Sequence, residues 1–121
     1  MGEPHILLVE DSSLVSDALR VLFEETGHRV TIAASAAEAV DAAIAEPPDV
    51  MLLDLGLPDA DGLTVLDSLR ARGVAIPTTI ALTGDGDDAT VARCIQAGCQ
   101  EVLLKPVSPR ELLRKIGVWT G

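Results

Sequence analysis

The chain has 121 residues, 48% of them apolar, which indicates one globular domain over residues 1–121 with a core at about 5–119. Its net charge of −10 repels nucleic-acid phosphates and anionic lipid, and one Phe and one Trp cannot form a base-stacking surface, so we expect no direct nucleic-acid binding. No apolar run approaches the roughly 20 residues of a membrane span, and no signal-peptide pattern opens the chain, so we expect a cytoplasmic protein without a membrane anchor.

Short apolar runs alternate with helical patterns along the whole chain. Leu14, Leu19 and Leu22 recur at the spacing of a first helix, and Gly27 supplies its stop. The predicted strands are residues 6–9, 30–33, 50–53, 79–82 and 102–104, and the predicted helices are about 14–22, 35–45, 63–72, 87–97 and 109–118.

Five strand–helix units of this kind predict a doubly wound parallel sheet with helices on both faces. Ser35 with Glu38, and Ser108 with Glu111, form capping-box patterns that place two of the helix starts. In the flavodoxin-like strand order 2-1-3-4-5, strands one and three are neighbours, and ligands bind outside their carboxyl ends.

Polar residues follow four of the predicted strands. They are Glu10 and Asp11 after the first, Asp54 after the third, Thr83 after the fourth and Lys105 after the fifth. Each alone is an ordinary turn or surface residue, but together at one sheet edge they predict a site. Three carboxylates in one pocket favour Mg²⁺, and a lysine and a hydroxyl suit the oxygens of a phosphoryl group transferred to a carboxylate.

With these residues in this order, the chain resembles the receiver domain of two-component response regulators. The resemblance extends from about residue 5 to about residue 119. It depends on Glu10-Asp11 after the first strand, Asp54 followed by Pro58 and Gly62, Thr83, and Lys105-Pro106.

The resemblance implies that Asp54 accepts a phosphoryl group from a phosphohistidine on a kinase or phosphotransfer protein, and loses it by slow hydrolysis. It implies a Mg²⁺ site formed by Asp11 and Asp54 directly, Glu10 through water, and the Gly56 backbone carbonyl. We therefore expect no conventional enzyme, but a domain that catalyses its own phosphorylation and dephosphorylation.

The resemblance also assigns roles to the residues after the last two strands. Thr83 matches the hydroxyl that moves onto the phosphoryl group, and Lys105 matches the lysine that pairs with a phosphoryl oxygen. The peptide bond between Lys105 and Pro106 is expected to be cis, as is common in the family. The first helix helps to dock the phosphohistidine partner in the family, which makes three serines interface candidates: Ser12, Ser13 and Ser16.

Three positions depart from the family pattern. Val102 stands where an aromatic ring usually switches together with the hydroxyl, Gly84 replaces a common alanine, and Gly56 places no side chain over the pocket. Without that ring, output would rest on Thr83 and the loop at 84–88, or the domain would only relay phosphate.

Two alternative functions stay open at this point. A phosphorylation-independent interaction module on the same fold is motivated by Val102. A phosphatase or dehalogenase with an aspartate nucleophile commonly has a second aspartate two residues later, and Gly56 at that position argues against it.

The histidines and cysteines are expected to lie outside this chemistry. We predict that His5 and His28 are solvent-exposed or capping residues, so the phosphodonor histidine lies on another protein. Cys94 and Cys99 are expected to be reduced, structural thiols.

Overall fold

The computed structural model describes residues 3–120, in which all five predicted strands and all five predicted helices are present. The strands are β1 His5–Val9, β2 Arg29–Ala33, β3 Val50–Asp54, β4 Thr78–Thr83 and β5 Glu101–Leu104. The helices are α1 Ser13–Glu25, α2 Ala36–Ala45, α3 Thr64–Ala71, α4 Asp88–Ala97 and α5 Pro109–Thr120. Among the helices of this described part, none combines the length and the apolar character needed to cross a membrane.

The sheet is parallel throughout, in the order β2-β1-β3-β4-β5. The predicted flavodoxin-like fold is therefore confirmed. The strands start or end one residue beyond the apolar runs, because polar residues such as His5 and Arg29 still pair across the ladder. Asp54 belongs to β3 for the same reason, since it pairs with Leu82 of β4.

Side chains alternate between two cores, one on each face of the sheet. Leu7 and Met51 point into the core beneath α2, α3 and α4, whereas Ile6 and Leu52 point into the core beneath α1 and α5. Each of these side chains is fully or almost fully buried, and burial of this kind contributes about 1.5–3 kcal/mol per residue. The central strands are thus anchored from both faces, which holds their carboxyl ends in place.

The first helix buries only part of its apolar pattern. Leu19 and Phe23 are buried against the sheet, but Leu14 is 82% exposed and Val15 is 43% exposed. Ser12 caps the helix by accepting a hydrogen bond from the backbone N–H of Val15. The first turn of α1 therefore presents apolar side chains to solvent beside the carboxyl edge of the sheet.

One of the three serine interface candidates on this helix is wrong. Ser16 is buried, and its hydroxyl donates to the carbonyl of Ser13 one turn earlier. It faces inward because it lies three residues before Leu19, on the same helix face. Ser12 is half-buried and Ser13 is exposed, so these two remain accessible.

The expectation that His5 is exposed or capping is also wrong. The His5 side chain is buried at the amino edge of the sheet, and its Nε2 lies 2.8 Å from the hydroxyl of Thr31. Its backbone N–H donates to a carboxylate oxygen of Asp49, which covers this edge. Burial lowers the pKa of His5 below its usual 6.5, and nearby Arg29 adds to the effect.

His28 fits the capping alternative. Its Nδ1 lies 3.1 Å from the hydroxyl of Thr26 and 3.3 Å from the carbonyl of Phe23 at the end of α1. The ring therefore adds to the hydrogen bonds that close the end of this helix.

Both cysteines are free and buried, as predicted. Cys94 lies on the inner face of α4, and Cys99 follows the helix directly after Gly98, which adopts the left-handed conformation. Burial raises the pKa of the Cys99 thiol to about 12 and also raises the pKa of Cys94. These thiols contribute to packing in the protonated form.

The last helix is fixed to the edge strand through one carboxylate. Glu101 of β5 accepts a hydrogen bond from the indole N–H of Trp119 at 2.8 Å and lies 2.7 Å from the ammonium of Lys115. The hydrogen bond from Lys115 is the main cause that lowers the pKa of Glu101. Helix α5 and strand β5 are thus joined by polar contacts as well as by packing.

Candidate functional site

The predicted polar residues meet at one edge of the sheet. Parallel pairing brings the ends of β1, β3, β4 and β5 level with one another, as the pairs Val9↔Leu53 and Thr83↔Leu104 show. The backbone N–H of Lys105 donates to the carbonyl of Thr83 at 2.8 Å, which extends this alignment by one residue. The sheet thereby gathers Glu10, Asp11, Asp54, Thr83 and Lys105.

Three carboxylates form a cluster between β1 and β3. Glu10, Asp11 and Asp54 each offer one oxygen, and these oxygens lie within 4.8 Å of one another. Glu10 and Asp54 are buried, whereas Asp11 is exposed. Hard oxygen donors at this spacing, open to solvent on one side, fit a divalent cation such as Mg²⁺ that keeps part of its water shell.

The surroundings of Glu10 raise the pKa of its carboxyl group. Burial is the main cause that raises the pKa of Glu10, and the neighbouring Asp11 and Asp54 raise it further. The backbone N–H of Ser12 and the charge of Lys105 act in the opposite direction. A bound cation would favour the ionised form of Glu10, since an opposite charge offsets the cost of burial.

Both carboxylate oxygens of Asp54 have a partner. Oδ2 lies 2.8 Å from the ammonium of Lys105, and Oδ1 accepts a hydrogen bond of 2.9 Å from the backbone N–H of Gly56. The peptide bond between Lys105 and Pro106 is cis, as the resemblance implied. The contacts with Lys105 and Gly56 orient the Asp54 carboxylate at the carboxyl end of β3.

The hydroxyl of Thr83 is turned toward the following loop. It accepts a hydrogen bond from the backbone N–H of Asp85 at 3.0 Å and donates to the carbonyl of Asp85 at 3.3 Å. Val102, on the neighbouring strand, is half-buried and packs against the core beneath α3 and α4. Its side chain thus belongs to the core.

The loop after β3 lies tightly against the strand end. The backbone N–H of Gly62 donates to the carbonyl of Leu55 at 2.9 Å. A Cβ atom at position 62 would lie 2.4 Å from the carbonyl oxygen of Asp54 and 2.9 Å from Cα of Leu55. Glycine is required here by this close approach of backbone to backbone.

Two aspartates of this loop connect it to neighbouring helices. Asp59 accepts hydrogen bonds from the backbone N–H groups of Ala36 and Ala37, at 2.8 and 3.2 Å, and so caps α2. These bonds lower the pKa of Asp59. Asp61 pairs with Gly56 through an antiparallel bridge, and its Oδ2 lies 2.9 Å from Nη2 of Arg93 on α4.

A pocket of about 480 Å³ lies beside the carboxylate cluster. Its lining includes Asp54, Gly56, Thr83, Lys105 and, from α4, Arg93. Arg93 is a residue of this pocket that was not predicted from the sequence. The sequence offered little signal for it, because Arg93 lies within α4 and not at a strand end.

The comparison with known proteins decides the family of this chain. Residues 6–117 match the family described as the response regulator receiver domain. The chain belongs to this family. It is therefore a receiver domain of the kind found in two-component systems.

Individual relatives agree with this assignment. The receiver domain is 34% identical over 111 residues to the transcriptional regulatory protein KdpE of Mycobacterium tuberculosis, with 92% of this chain and 48% of the relative covered. The chain thus spans about half the length of this curated relative. A CheY-like receiver domain structure from Methanospirillum hungatei is 32% identical with a TM-score of 0.83, covering 97% of this chain and 93% of that one.

The fold itself is shared more widely. The structure of the chemotaxis protein CheY4 of Vibrio cholerae has a TM-score of 0.89 against this receiver domain at 22% identity, covering 98% of this chain and 99% of that one. At this level of identity the likeness concerns the fold alone.

Proposed function

We propose that this receiver domain accepts a phosphoryl group on Asp54 from a phosphohistidine of a kinase or phosphotransfer protein, with Mg²⁺, and then loses it by slow hydrolysis. One observation carries the proposal. A buried aspartate ends the central strand, with two further carboxylates within 4.8 Å and a lysine at 2.8 Å. An ordinary surface turn does not bring together three carboxylates and a lysine that pairs with one of them.

In this proposal, an oxygen of Asp54 attacks the phosphorus atom of the donor. The new O–P bond forms an acyl phosphate, while the P–N bond to the donor imidazole breaks and the ring nitrogen keeps the electron pair and takes up a proton. Lys105 exchanges its contact with Oδ2 for a phosphoryl oxygen and so stabilises the added charge. Its reach is adequate, since its ammonium already lies 2.8 Å from the attacking group.

The metal-binding residues would be Asp11 and Asp54 directly, Glu10 through water, and the backbone carbonyl of Gly56. When bound, Mg²⁺ supplies positive charge against the carboxylates and the phosphoryl oxygens. Glu10 then serves in its ionised form, and the hydrogen bond from the backbone N–H of Ser12 at 3.2 Å helps to orient it.

Thr83 would respond to the phosphoryl group. Its hydroxyl gives up the carbonyl of Asp85 and donates to a phosphoryl oxygen, which releases one contact of the loop at 84–88. Val102 is stiff at χ1 and packed in the core, so we propose that output rests on this loop or that the domain relays phosphate.

A groove of about 690 Å³ beside Lys105 supports docking of the donor protein at this edge. Its walls include Leu14 and Val15 of α1 on one side and Pro106 and Val107 on the other. The exposed apolar side chains of α1 are the kind of surface that a partner helix covers. A donor protein seated there would contact Glu10 and Lys105 at the border of the site.

The proposal is tested by measuring the intact mass after incubation with acetyl phosphate and Mg²⁺. We expect one phosphate-sized adduct, which EDTA prevents and which is absent in Asp54→Asn. Asp41→Asn makes the same chemical change on exposed α2, away from the site, and should gain the adduct like the wild type. Absence of an adduct on the wild type, or an adduct on Asp54→Asn, would contradict the proposal, and the first result would favour a phosphorylation-independent interaction module.

A further inference from the structure

Apart from the proposed Mg²⁺, the described residues that line the pocket beside Asp54 offer only two basic side chains to an anionic group, Lys105 and Arg93. A phosphoryl group brings a charge of about −2, and this pocket is already lined by Asp54, Asp61 and Asp85. Lys105 is engaged by Asp54 at 2.8 Å. Among the described residues that line the pocket, the remaining basic side chain is that of Arg93.

The guanidinium of Arg93 is held at the level of the phosphoacceptor loop. It pairs with Asp61, and Asp61 is in turn bridged to Gly56, two residues after Asp54. Both partners of this ion pair are substantially exposed, with 57% of the Arg93 side chain and 45% of the Asp61 side chain accessible. An exposed pair of this kind contributes little, so exchanging it for another anion costs little.

The space between Arg93 and the acceptor carboxylate is kept open by two glycines. A Cβ atom at Gly84 would meet no heavy atom within 4 Å, and one at Gly56 would meet only Oδ1 of Asp54, at 3.7 Å. Both positions line the pocket, and as glycines they add no side chain to it. The absence of side chains there leaves the guanidinium a free route toward a group bound on Asp54.

We propose that Arg93 is a second phosphoryl-binding cation of this receiver domain. Its guanidinium leaves Asp61 and donates to oxygens of the incoming phosphoryl group, opposite Lys105. A planar guanidinium can donate two parallel hydrogen bonds to a phosphoryl group. In the present structure Arg93 donates one hydrogen bond to Asp61, and that bond is exposed to solvent. The inference rests on the proposed phosphorylation of Asp54 and adds a binding residue to that site.

The inference is tested with the full chain by measuring the initial rate of phosphorylation against the concentration of acetyl phosphate. We expect Arg93→Ala to raise the half-saturating concentration by about three- to tenfold, with partial rescue in Arg93→Lys. Asp61→Asn frees the guanidinium and should lower that concentration by about two- to threefold. Urea denaturation of each variant shows that the comparison is made between folded proteins.

A matched control comes from the other side of the molecule. Arg114 pairs with Glu111 at 2.8 Å and its side chain is 61% exposed, so Arg114→Ala removes a similar ion pair on α5. We expect no change in half-saturation for this variant. Added salt should also lower the ratio of the wild-type rate to the rate of Arg93→Ala, because it screens the one positive charge that the variant lacks.

The variants Arg93→Ala and Asp61→Asn distinguish phosphoryl binding by Arg93 from a purely structural role of the ion pair. If Arg93→Ala and Asp61→Asn weaken phosphorylation to the same extent, the pair only joins α4 to the loop and the inference is overturned. It is equally overturned if Arg93→Ala behaves like the wild type while the wild type is phosphorylated on Asp54. Failure of the wild type itself to gain phosphate overturns the proposed function and this inference together.

Discussion

Replacing Gly62 by alanine should destabilise the domain by at least about 2 kcal/mol. The added Cβ would lie 2.4 Å from the carbonyl oxygen of Asp54, whereas ordinary contacts begin near 3.4 Å. The loop or the strand end must therefore move by about 1 Å, the difference between these two distances. Neither yields easily, because the clashing atoms are backbone atoms and β3 is buried along its whole length. The φ angle of Gly62 is not positive, so the clash alone causes the effect.

The measurement is urea denaturation of Gly62→Ala followed by circular dichroism, together with acetyl phosphate labelling. Gly117→Ala is the control, because a Cβ there meets nothing within 4 Å and the position lies inside α5. The control should gain about 0.5–1 kcal/mol from its better helix propensity. The steric argument is refuted if Gly62→Ala unfolds within about 0.5 kcal/mol of the wild type and is phosphorylated at the same rate.

Three further predictions concern titratable groups outside the phosphoacceptor cluster. His5 has a lowered pKa, so the stability that its neutral ring provides is complete above pH 6.5 and is lost as the pH falls toward the folded-state pKa. Between pH 7 and 5 the urea midpoint of His5→Gln should therefore fall less than that of the wild type. Asp59→Asn should lower the thermal midpoint at pH 7, because the ionised form of Asp59 caps α2. The difference from the wild type should shrink as the pH falls below 3.8, since the pKa of Asp59 is lowered from that value. An unchanged midpoint at pH 7 would contradict the capping role. Cys99, with a pKa of about 12 in place of 9.0, should hold about a thousandfold less thiolate than a free thiol at pH 8, so a thiol reagent should modify it readily only after unfolding.

The order and type of the secondary-structure elements could be predicted from the sequence, because apolar runs and helical spacing recur throughout the chain. The ends of the strands could not be placed exactly. His5 and Arg29 interrupt the apolar pattern but still pair with each other in the ladder. The burial of His5 was missed for a related reason, since its partner Thr31 lies 26 residues further along the chain.

The site residues at the strand ends could be predicted because a parallel sheet brings all its carboxyl ends together. Residues that reach the site from elsewhere left a weaker signal. Arg93 faces the pocket from the middle of α4, and its partner Asp61 lies 32 residues earlier. Burial of Ser16 was equally hidden, because the apolar Leu14 indicated a different inner face for the first turn of α1, and Leu14 is exposed.

The contact between Trp119 and Glu101 gives the domain an intrinsic optical reporter. Trp119 is the single tryptophan of the chain, so all indole fluorescence originates at the junction of α5 and β5. Its indole N–H donates to the carboxylate of Glu101, which also pairs with Lys115. Any displacement of the last helix relative to the edge strand would change the environment of this indole, so motion on that face can be followed in solution without a label.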